Sequence, residues 1–222
     1  MATSTAEIAE QPCVLLDNIS WETYEALLDE MGESQVRLTY DNGSLEIMTL
    51  SLRHERYGSW IGRLIEMLTF ELDIPIGSGG STTLKRKLKK KGLEPDECYW
   101  IQHEAKMRGK RDFHFKTDPP PDLAVEVDVS HGSLERFPIY AAFKIPEIWR
   151  FVAEHLRVYQ LRQGKYRQIK HSPTFPFVPL EKVEEFIRGI AVEDETTLLK
   201  SFVRWIRSDI LPVYAAGSGG KK

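Results

Sequence analysis

Several features that mark well-known protein classes are scarce or absent in this chain of 222 residues. Its two cysteines, Cys13 and Cys98, lie far apart and form no CxxC pair. That is too few for a disulfide framework or a cysteine zinc site, and it favours a reducing compartment. No run approaches the ~20 apolar residues that a membrane-spanning helix needs, and residues 1–11 lack the basic and apolar regions of a signal peptide. The cytoplasm is therefore the expected location.

Excess positive charge is also missing, since the formal net charge is −3. Only a local patch could therefore attract nucleic acid. One such patch is the stretch Lys85–Lys91, which has a cation at every position except Leu88. It could hold phosphate groups or form a solvated hairpin tip, and both interpretations stay open. The Rossmann, P-loop, GxSxG and HExxH motifs are absent, which excludes the enzyme classes that depend on them.

What is present is a mixture of helical and strand patterns. Ser20 can cap a first helix, Asp41-Asn42-Gly43-Ser44 predicts a hairpin turn, and apolar residues recur at helical spacing from Leu52 to Leu72. Further strands are predicted at 98–101, 123–129, 147–152, 156–161 and 166–169, and further helices after Ser133, at 180–187 and at 196–207.

No internal repeat or linker divides this order of elements. The patterns therefore predict one α/β domain over residues 12–210, in which helices flank a mixed β-sheet. Residues 1–11 are expected to be disordered, and residues 211–222 to form a flexible C-terminal tail.

The strand that follows three prolines carries the most informative pattern. Leu123, Val125 and Val127 point to one face, whereas Glu126 and Asp128 share the other with a spacing of about 7 Å. Like charges this close repel each other unless water or a cation screens them. The strand is therefore either the solvated side of a sheet or part of a divalent-metal site.

Two further acids stand at or beside predicted strands. Glu46 lies in the second strand of the hairpin, and Asp96 directly precedes the strand at 98–101. Acids from different strands could supply the oxygen ligands that Mg²⁺ prefers. Each acid taken alone is nevertheless more simply interpreted as solvent-facing.

Three other residues have plain structural interpretations. His54 shares a helix face with Tyr57 and is more simply a packed side chain than a catalytic one. Tyr140 is expected in the core. Arg136 would project from the next helix back toward the carboxyl end of the carboxylate strand, but alone it is uninformative.

Taken together, five stretches in this order resemble the Uma-type putative restriction endonuclease family, within the PD-(D/E)XK nuclease superfamily. They are Gly43-Ser44-Leu45-Glu46-Ile47-Met48, His54 on the following helix, Glu94-Pro95-Asp96-Glu97-Cys98-Tyr99, Pro120-Pro121-Asp122-Leu123-Ala124-Val125-Glu126-Val127, and Pro138-Ile139-Tyr140-Ala141-Ala142-Phe143-Lys144-Ile145-Pro146-Glu147-Ile148-Trp149-Arg150. The resemblance covers roughly residues 12–210. It implies a restriction-endonuclease-like core and DNA cleavage that depends on Mg²⁺ or Mn²⁺.

The resemblance also implies which residues form the site. Asp96 and Glu126 match the two metal-binding acids of the superfamily, and Glu46 matches an acid that the family carries near the start of the core. The motif lysine should lie two residues after Glu126, where this chain has Asp128. Relatives move that lysine to the place of Arg136, which can stabilise transition-state charge but cannot deprotonate water.

The resulting hypothesis is a Mg²⁺- or Mn²⁺-dependent DNA endonuclease with Asp96, Glu126, Arg136 and Glu46 as catalytic residues. Asp96 and Glu126 would bind the metal ion. The alternative is a catalytically inactive DNA-binding or regulatory module on the same scaffold, which Asp128 and Arg136 favour. A protein-interaction domain is a third interpretation. By analogy with nucleases that cut both strands, two copies could form a homodimer.

Overall fold

The structure is a computed structural model that describes residues 12–32, 36–128 and 134–218. Its strands are β1 (Cys13–Leu16), β2 (Val36–Asp41), β3 (Ser44–Thr49), β4 (Gly77–Ser78), β5 (Leu84–Arg86), β6 (Lys91–Leu93), β7 (Glu97–Trp100), β8 (Leu123–Asp128), β9 (Glu147–Val152), β10 (His155–Arg162) and β11 (Lys165–Ile169). Its α-helices are α1 (Trp21–Met31), α2 (Leu52–Glu71), α3 (Glu104–Met107), α4 (Phe137–Phe143), α5 (Leu180–Gly189), α6 (Glu195–Trp205) and α7 (Leu211–Ser218).

The strands form two sheets. One is antiparallel, with the order β1-β3-β2-β6-β5. The other has the order β11-β10-β9-β8-β7-β4, and it is mixed because β8 and β9 run parallel while its other pairs are antiparallel. The predicted mixed α/β fold with flanking helices is therefore confirmed, and the antiparallel sheet is an addition to it.

The local signals that predicted the first elements have clear structural counterparts. The side chain of Ser20 caps α1 by accepting a hydrogen bond from the backbone N–H of Thr23. The turn between β2 and β3 has positive φ at both Asn42 (50°) and Gly43 (105°), the conformation that a two-residue hairpin turn requires. Ser51 caps α2 in the same way as Ser20 caps α1, through the N–H of His54.

Strand β8 is covered on both faces. Val125 and Val127 pack in a core with the apolar side of α2, while Ala124 packs with Tyr140 and other residues of α4. Glu126 is only 5% exposed. Of the two interpretations of this strand, the solvated side of a sheet is therefore wrong at Glu126. The reason is the parallel pairing with β9, because the helix that connects two parallel strands must pack on the sheet.

The C-terminal part is more helical than its composition predicts. Asp194 caps α6, and a π-helical turn at Ile206–Ile210 joins α6 to α7. Helix α7 occupies residues 211–218 of the predicted flexible tail, and the ring of Tyr214 packs on that of Phe177 with centroids 4.9 Å apart. The remaining tail residues, the predicted disordered residues 1–11, and Ser133 with its predicted capping role lie outside the described residues.

None of the helices in the described ranges is long and apolar enough to span a membrane.

Candidate functional site

The four site residues predicted from the sequence converge from four separate elements. Glu46 lies on β3, Asp96 directly precedes β7, Glu126 lies on β8, and Arg136 is the N-cap residue of α4. The guanidinium of Arg136 connects two of the acids. Its Nη1 is 2.6 Å from Glu126 Oε2, and its Nη2 is 3.5 Å from Glu46 Oε1.

The remaining oxygens of these two glutamates also accept hydrogen bonds. Glu126 Oε1 accepts one from the hydroxyl of Tyr140, and Glu46 Oε2 accepts one from the backbone N–H of Leu134 at 2.8 Å. Both glutamates are buried. Both oxygens of Glu126 are therefore held in place, one by a cation and the other by a phenol.

Asp96 stands opposite Glu126 across the β7–β8 pair. Glu97 pairs with Val125 in antiparallel register, so one step further along the two chains Asp96 meets Glu126. The backbone N–H of Val127 donates to Asp96 Oδ2 at 2.6 Å. The second oxygen, Oδ1, is buried and has no hydrogen-bond partner in the part of the chain that the structure describes.

His54 joins the site from the first turn of α2. Its Nε2 lies 3.4 Å from Asp96 Oδ2, and its side chain is 1% exposed. Neither ring nitrogen has a hydrogen-bond partner among the described residues. His54 is therefore packed, as its helical position predicts, and its ring also contacts a predicted site residue.

Burial dominates the protonation of this cluster. It raises the pKa of Asp96 to about 8, and the charge of Glu126 adds to that rise. Burial also lowers the pKa of His54, although Glu126 opposes the shift. For Arg136, burial acts to lower the pKa, but the neighbouring carboxylates raise it by more, so the guanidinium stays charged. Three acids, Glu46, Asp96 and Glu126, therefore lie around Arg136, and the charge of Arg37 also acts on Asp96.

Three residues at the site were given no role there by the sequence. Tyr140 lies in the core, as predicted, and its hydroxyl also contacts Glu126; its spacing of four from Arg136 is a usable signal. The charge of Arg37 on β2 acts on both Asp96 and His54, and its buried Nε has no partner in the described ranges. Nothing in the local sequence marks Arg37, or shows that His54 reaches Asp96.

Other acids that compete for a role lie in separate contacts. Asp122 accepts hydrogen bonds from the backbone N–H groups of Ile101 at 2.7 Å and His103 at 3.0 Å, so it fixes the loop after β7. Asp128 pairs with Arg150 at 2.5 Å. The choice of Asp96 over Asp122 as the partner of Glu126 is consistent with these contacts.

The basic stretch Lys85–Lys91 is partly neutralised by acids of this chain. Lys85 lies 3.3 Å from Glu25, Lys87 lies 3.0 Å from Glu22, and Lys91 pairs with Asp41. These pairs weaken the attraction that the stretch could exert on phosphates.

Hard oxygen ligands are present at the site, but they are not arranged as a ready metal centre. Within the described ranges, no three His, Cys, Asp or Glu side chains form a group that could hold a metal ion. A divalent ion nonetheless needs only one or two protein carboxylates when waters and substrate complete its shell. The donor set fits such an ion, because Asp96 Oδ1 has no hydrogen-bond partner among the described residues and the three acids outnumber Arg136 and Arg37.

The chain is similar to a known protein family and to a solved structure. The sequence model of the Uma2 family, described as "Putative restriction endonuclease", matches residues 21–193. Among solved structures, a putative nuclease belonging to DUF820 from Anabaena variabilis ATCC 29413 is similar over 75% of this chain and 90% of its own, with 10% identity and a TM-score of 0.41. No curated protein matches the chain.

Proposed function

The chain belongs to the Uma2 family of putative restriction endonucleases, and from that premise we propose that it hydrolyses phosphodiester bonds of DNA with Mg²⁺ or Mn²⁺. Asp96 and Glu126 are the proposed metal ligands. Arg136 and Glu46 complete the proposed catalytic set. The observation that carries the proposal is that Asp96, directly before β7, lies opposite Glu126 on β8, whose carboxylate pairs with Arg136.

The charge balance at the site supports a cation. Glu46, Asp96 and Glu126 are buried around the charged guanidinium of Arg136, and the charge of Arg37 also acts on Asp96, so three acids stand against two cations. Burial, and then the charge of Glu126, raises the pKa of Asp96, so its ionised form is costly unless a cation neutralises it. A bound divalent ion would lower the pKa of a coordinated water and neutralise charge on the scissile phosphate.

Arg136 has two proposed partners. In the structure it holds Glu126 and Glu46, whereas a phosphate oxygen of DNA offers the same planar guanidinium an equally suitable acceptor. Moving Arg136 toward the phosphate would release Glu126 Oε2 for the metal ion. Glu46 would then keep the guanidinium aligned through Nη2. Arg136 does not act as a base, because a guanidinium stays protonated in proteins.

The test is nicking of supercoiled plasmid DNA by the purified protein with Mg²⁺, with Mn²⁺ and with a chelator. We expect cleavage only with a divalent ion, and a loss of about 10³-fold in rate for Glu126→Gln, the size typical of removing one group that stabilises transition-state charge. Asp128→Asn is the matched control, because it changes an acid two residues along the same strand that pairs with Arg150. Absence of cleavage of any DNA with either ion would overturn the proposal.

A second candidate is a DNA-binding module without catalytic activity. Two observations favour it: Asp128 occupies the place of the motif lysine, and both oxygens of Glu126 are held by Arg136 and Tyr140. Calorimetry separates the candidates. An inactive module binds DNA but takes up no Mg²⁺ or Mn²⁺, whereas a nuclease binds the ion and loses affinity for it in Asp96→Asn.

Pairing of two copies is proposed only by analogy with nucleases that cut both strands. Light scattering of the free protein and of its DNA complex measures it directly.

A further inference from the structure

Unpartnered polar atoms are concentrated beside Asp96. In the described part of the chain, six buried side-chain nitrogen or oxygen atoms lack a hydrogen-bond partner, and three of them are His54 Nδ1, His54 Nε2 and Asp96 Oδ1. Buried polar atoms in folded proteins are nearly always satisfied, so a cluster of exceptions indicates a missing ligand. The other three belong to Trp21 and Tyr24, which pack in a separate core cluster, and to Arg37, whose guanidinium is not a metal ligand.

The separation of the two side chains suits one shared ion. His54 Nε2 and Asp96 Oδ2 are 3.4 Å apart. Two ligand atoms that each lie about 2.1 Å from one ion are about 3.0 Å apart at a right angle and about 3.4 Å apart at the tetrahedral angle. The imidazole and the carboxylate can therefore bind the same ion with little movement.

The position of His54 is fixed by the helix rather than by a flexible loop. The hydroxyl of Ser51 accepts a hydrogen bond from the backbone N–H of His54 at 3.2 Å, which holds the residue in the first turn of α2. The body of α2 packs against β8 in the main core. The imidazole is therefore positioned in advance, which lowers the cost of ordering a ligand.

We propose that His54 is a nitrogen ligand of the divalent ion, so that the site prefers Mn²⁺ to Mg²⁺. This inference rests on the proposed function and names the ion for the same site. Mg²⁺ is a hard cation that favours oxygen, whereas imidazole nitrogen is a better ligand for first-row transition metals. With His54, Asp96 and a released Glu126, the site offers one nitrogen and carboxylate oxygens. Sites of oxygen alone would give a weaker preference for Mn²⁺.

Calorimetric titration with Mn²⁺ and with Mg²⁺ tests the proposal on the full-length protein. His54→Phe keeps a planar ring and removes both nitrogens. We expect it to weaken Mn²⁺ binding about tenfold or more and to change Mg²⁺ binding less than about threefold. The reason is that the variant loses only the bond from the imidazole nitrogen, which favours Mn²⁺ over Mg²⁺. His155→Phe is the matched control, since His155 lies on β10 and contacts Glu184.

A second readout detects the ligand nitrogen directly. In protein labelled with ¹⁵N-histidine, electron spin-echo spectra of bound Mn²⁺ should show coupling to a histidine nitrogen. The coupling should persist in His155→Phe and disappear in His54→Gln. The glutamine variant keeps an amide oxygen at this position, so it serves if His54→Phe does not fold.

The outcomes are distinct. Mn²⁺ binding without nitrogen coupling, together with unchanged Mn²⁺ affinity in the His54 variants, overturns the role of His54 but leaves metal-dependent cleavage intact. Wild-type protein that binds neither ion overturns both this inference and the proposed nuclease. Mn²⁺ preference together with nitrogen coupling that depends on His54 supports it.

Discussion

Two buried glutamates on neighbouring parallel strands accept hydrogen bonds from different kinds of donor. Glu147 at the start of β9 is 1% exposed and accepts hydrogen bonds from neutral groups only. Its donors are Trp149 Nε1 at 2.7 Å, Ser172 Oγ at 2.5 Å, and the backbone N–H and hydroxyl of Thr174 at 2.9 and 2.6 Å. Glu147 therefore ties the segment 172–174 to the sheet.

Glu126 on β8 is held instead by a cation and a phenol, beside a second acid that has an unpartnered oxygen. The difference separates a structural acid from a candidate functional one. Four neutral donors satisfy Glu147 without a further ligand. Around Glu126 the acids outnumber the arginines, and unpartnered atoms of His54 and Asp96 lie alongside. Burial alone does not distinguish the two glutamates, whereas their partners do.

The largest effect on stability that this comparison predicts is at Glu147. Glu147→Ala leaves the donors of Trp149, Ser172 and Thr174 without their acceptor, and each buried unsatisfied group is costly. We expect unfolding free energy to fall by about 3 kcal/mol. Urea denaturation measures the change, and metal binding at temperatures where the variant is folded should stay unchanged. A loss of metal affinity without a loss of stability would place Glu147 in the functional site and remove the contrast.

The sequence predicts this architecture best where a signal depends on residues that lie close together along the chain. Local signals such as the cap at Ser20, the turn at Asn42-Gly43 and the helical spacing in α2 correspond to observed elements, because each depends on residues a few positions apart. The pairing of β8 with β9 was not predicted, and with it the burial of Glu126 was missed. Parallel pairing is a long-range event that alternation along one strand does not reveal.

Likewise, the sequence predicts some residues of the site but not others. The resemblance to a nuclease family supplied Glu46, Asp96, Glu126 and Arg136, and the structure brings these four together, while their catalytic roles stay predictions. His54 is part of the resemblance but is given no role by it, and Arg37 has no local mark. Helix α2 brings His54 to Asp96 from more than 40 residues away along the chain, and strand β2 brings Arg37 from more than 50, so only the tertiary fold relates them to Asp96.

Asp96 offers a sharper contrast with Glu147, because Asp96→Asn should raise the unfolding free energy whereas Glu147→Ala should lower it. Burial and Glu126 raise the pKa of Asp96 above its usual value of 3.8 to about 8. The folded state then binds more protons than the unfolded state between these two values, so the Asp96 contribution to stability falls as the pH rises from about 4 to about 8. Asp96→Asn removes this loss of stability with rising pH, because asparagine does not ionise.

We therefore expect Asp96→Asn to be more stable than the wild type at pH 8, by about 2 kcal/mol, and to gain little at pH 4. Metal-free thermal unfolding at both pH values is the measurement, and Asp122→Asn, which alters an acid held by two backbone N–H groups, is the control expected to lose stability. Equal destabilisation of both variants at pH 8 would show that Asp96 is a structural acid like Glu147.

The smallest expected effect concerns the cation that holds Glu126. Arg136 reaches Glu126 and Glu46 through two different nitrogens, whereas a lysine presents a single compact charge that can hold one acid at a time. Arg136→Lys should therefore leave Glu126 more often available to a metal ion, and we expect plasmid nicking to become about tenfold faster, equivalent to about 1.4 kcal/mol. Arg150→Lys, at the neighbouring pair with Asp128, should change the rate little. A slower rate in Arg136→Lys alone would contradict this expectation. It would mean that hydrogen bonds from both guanidinium nitrogens, to the acids or to the scissile phosphate, contribute more to catalysis than the release of Glu126 does.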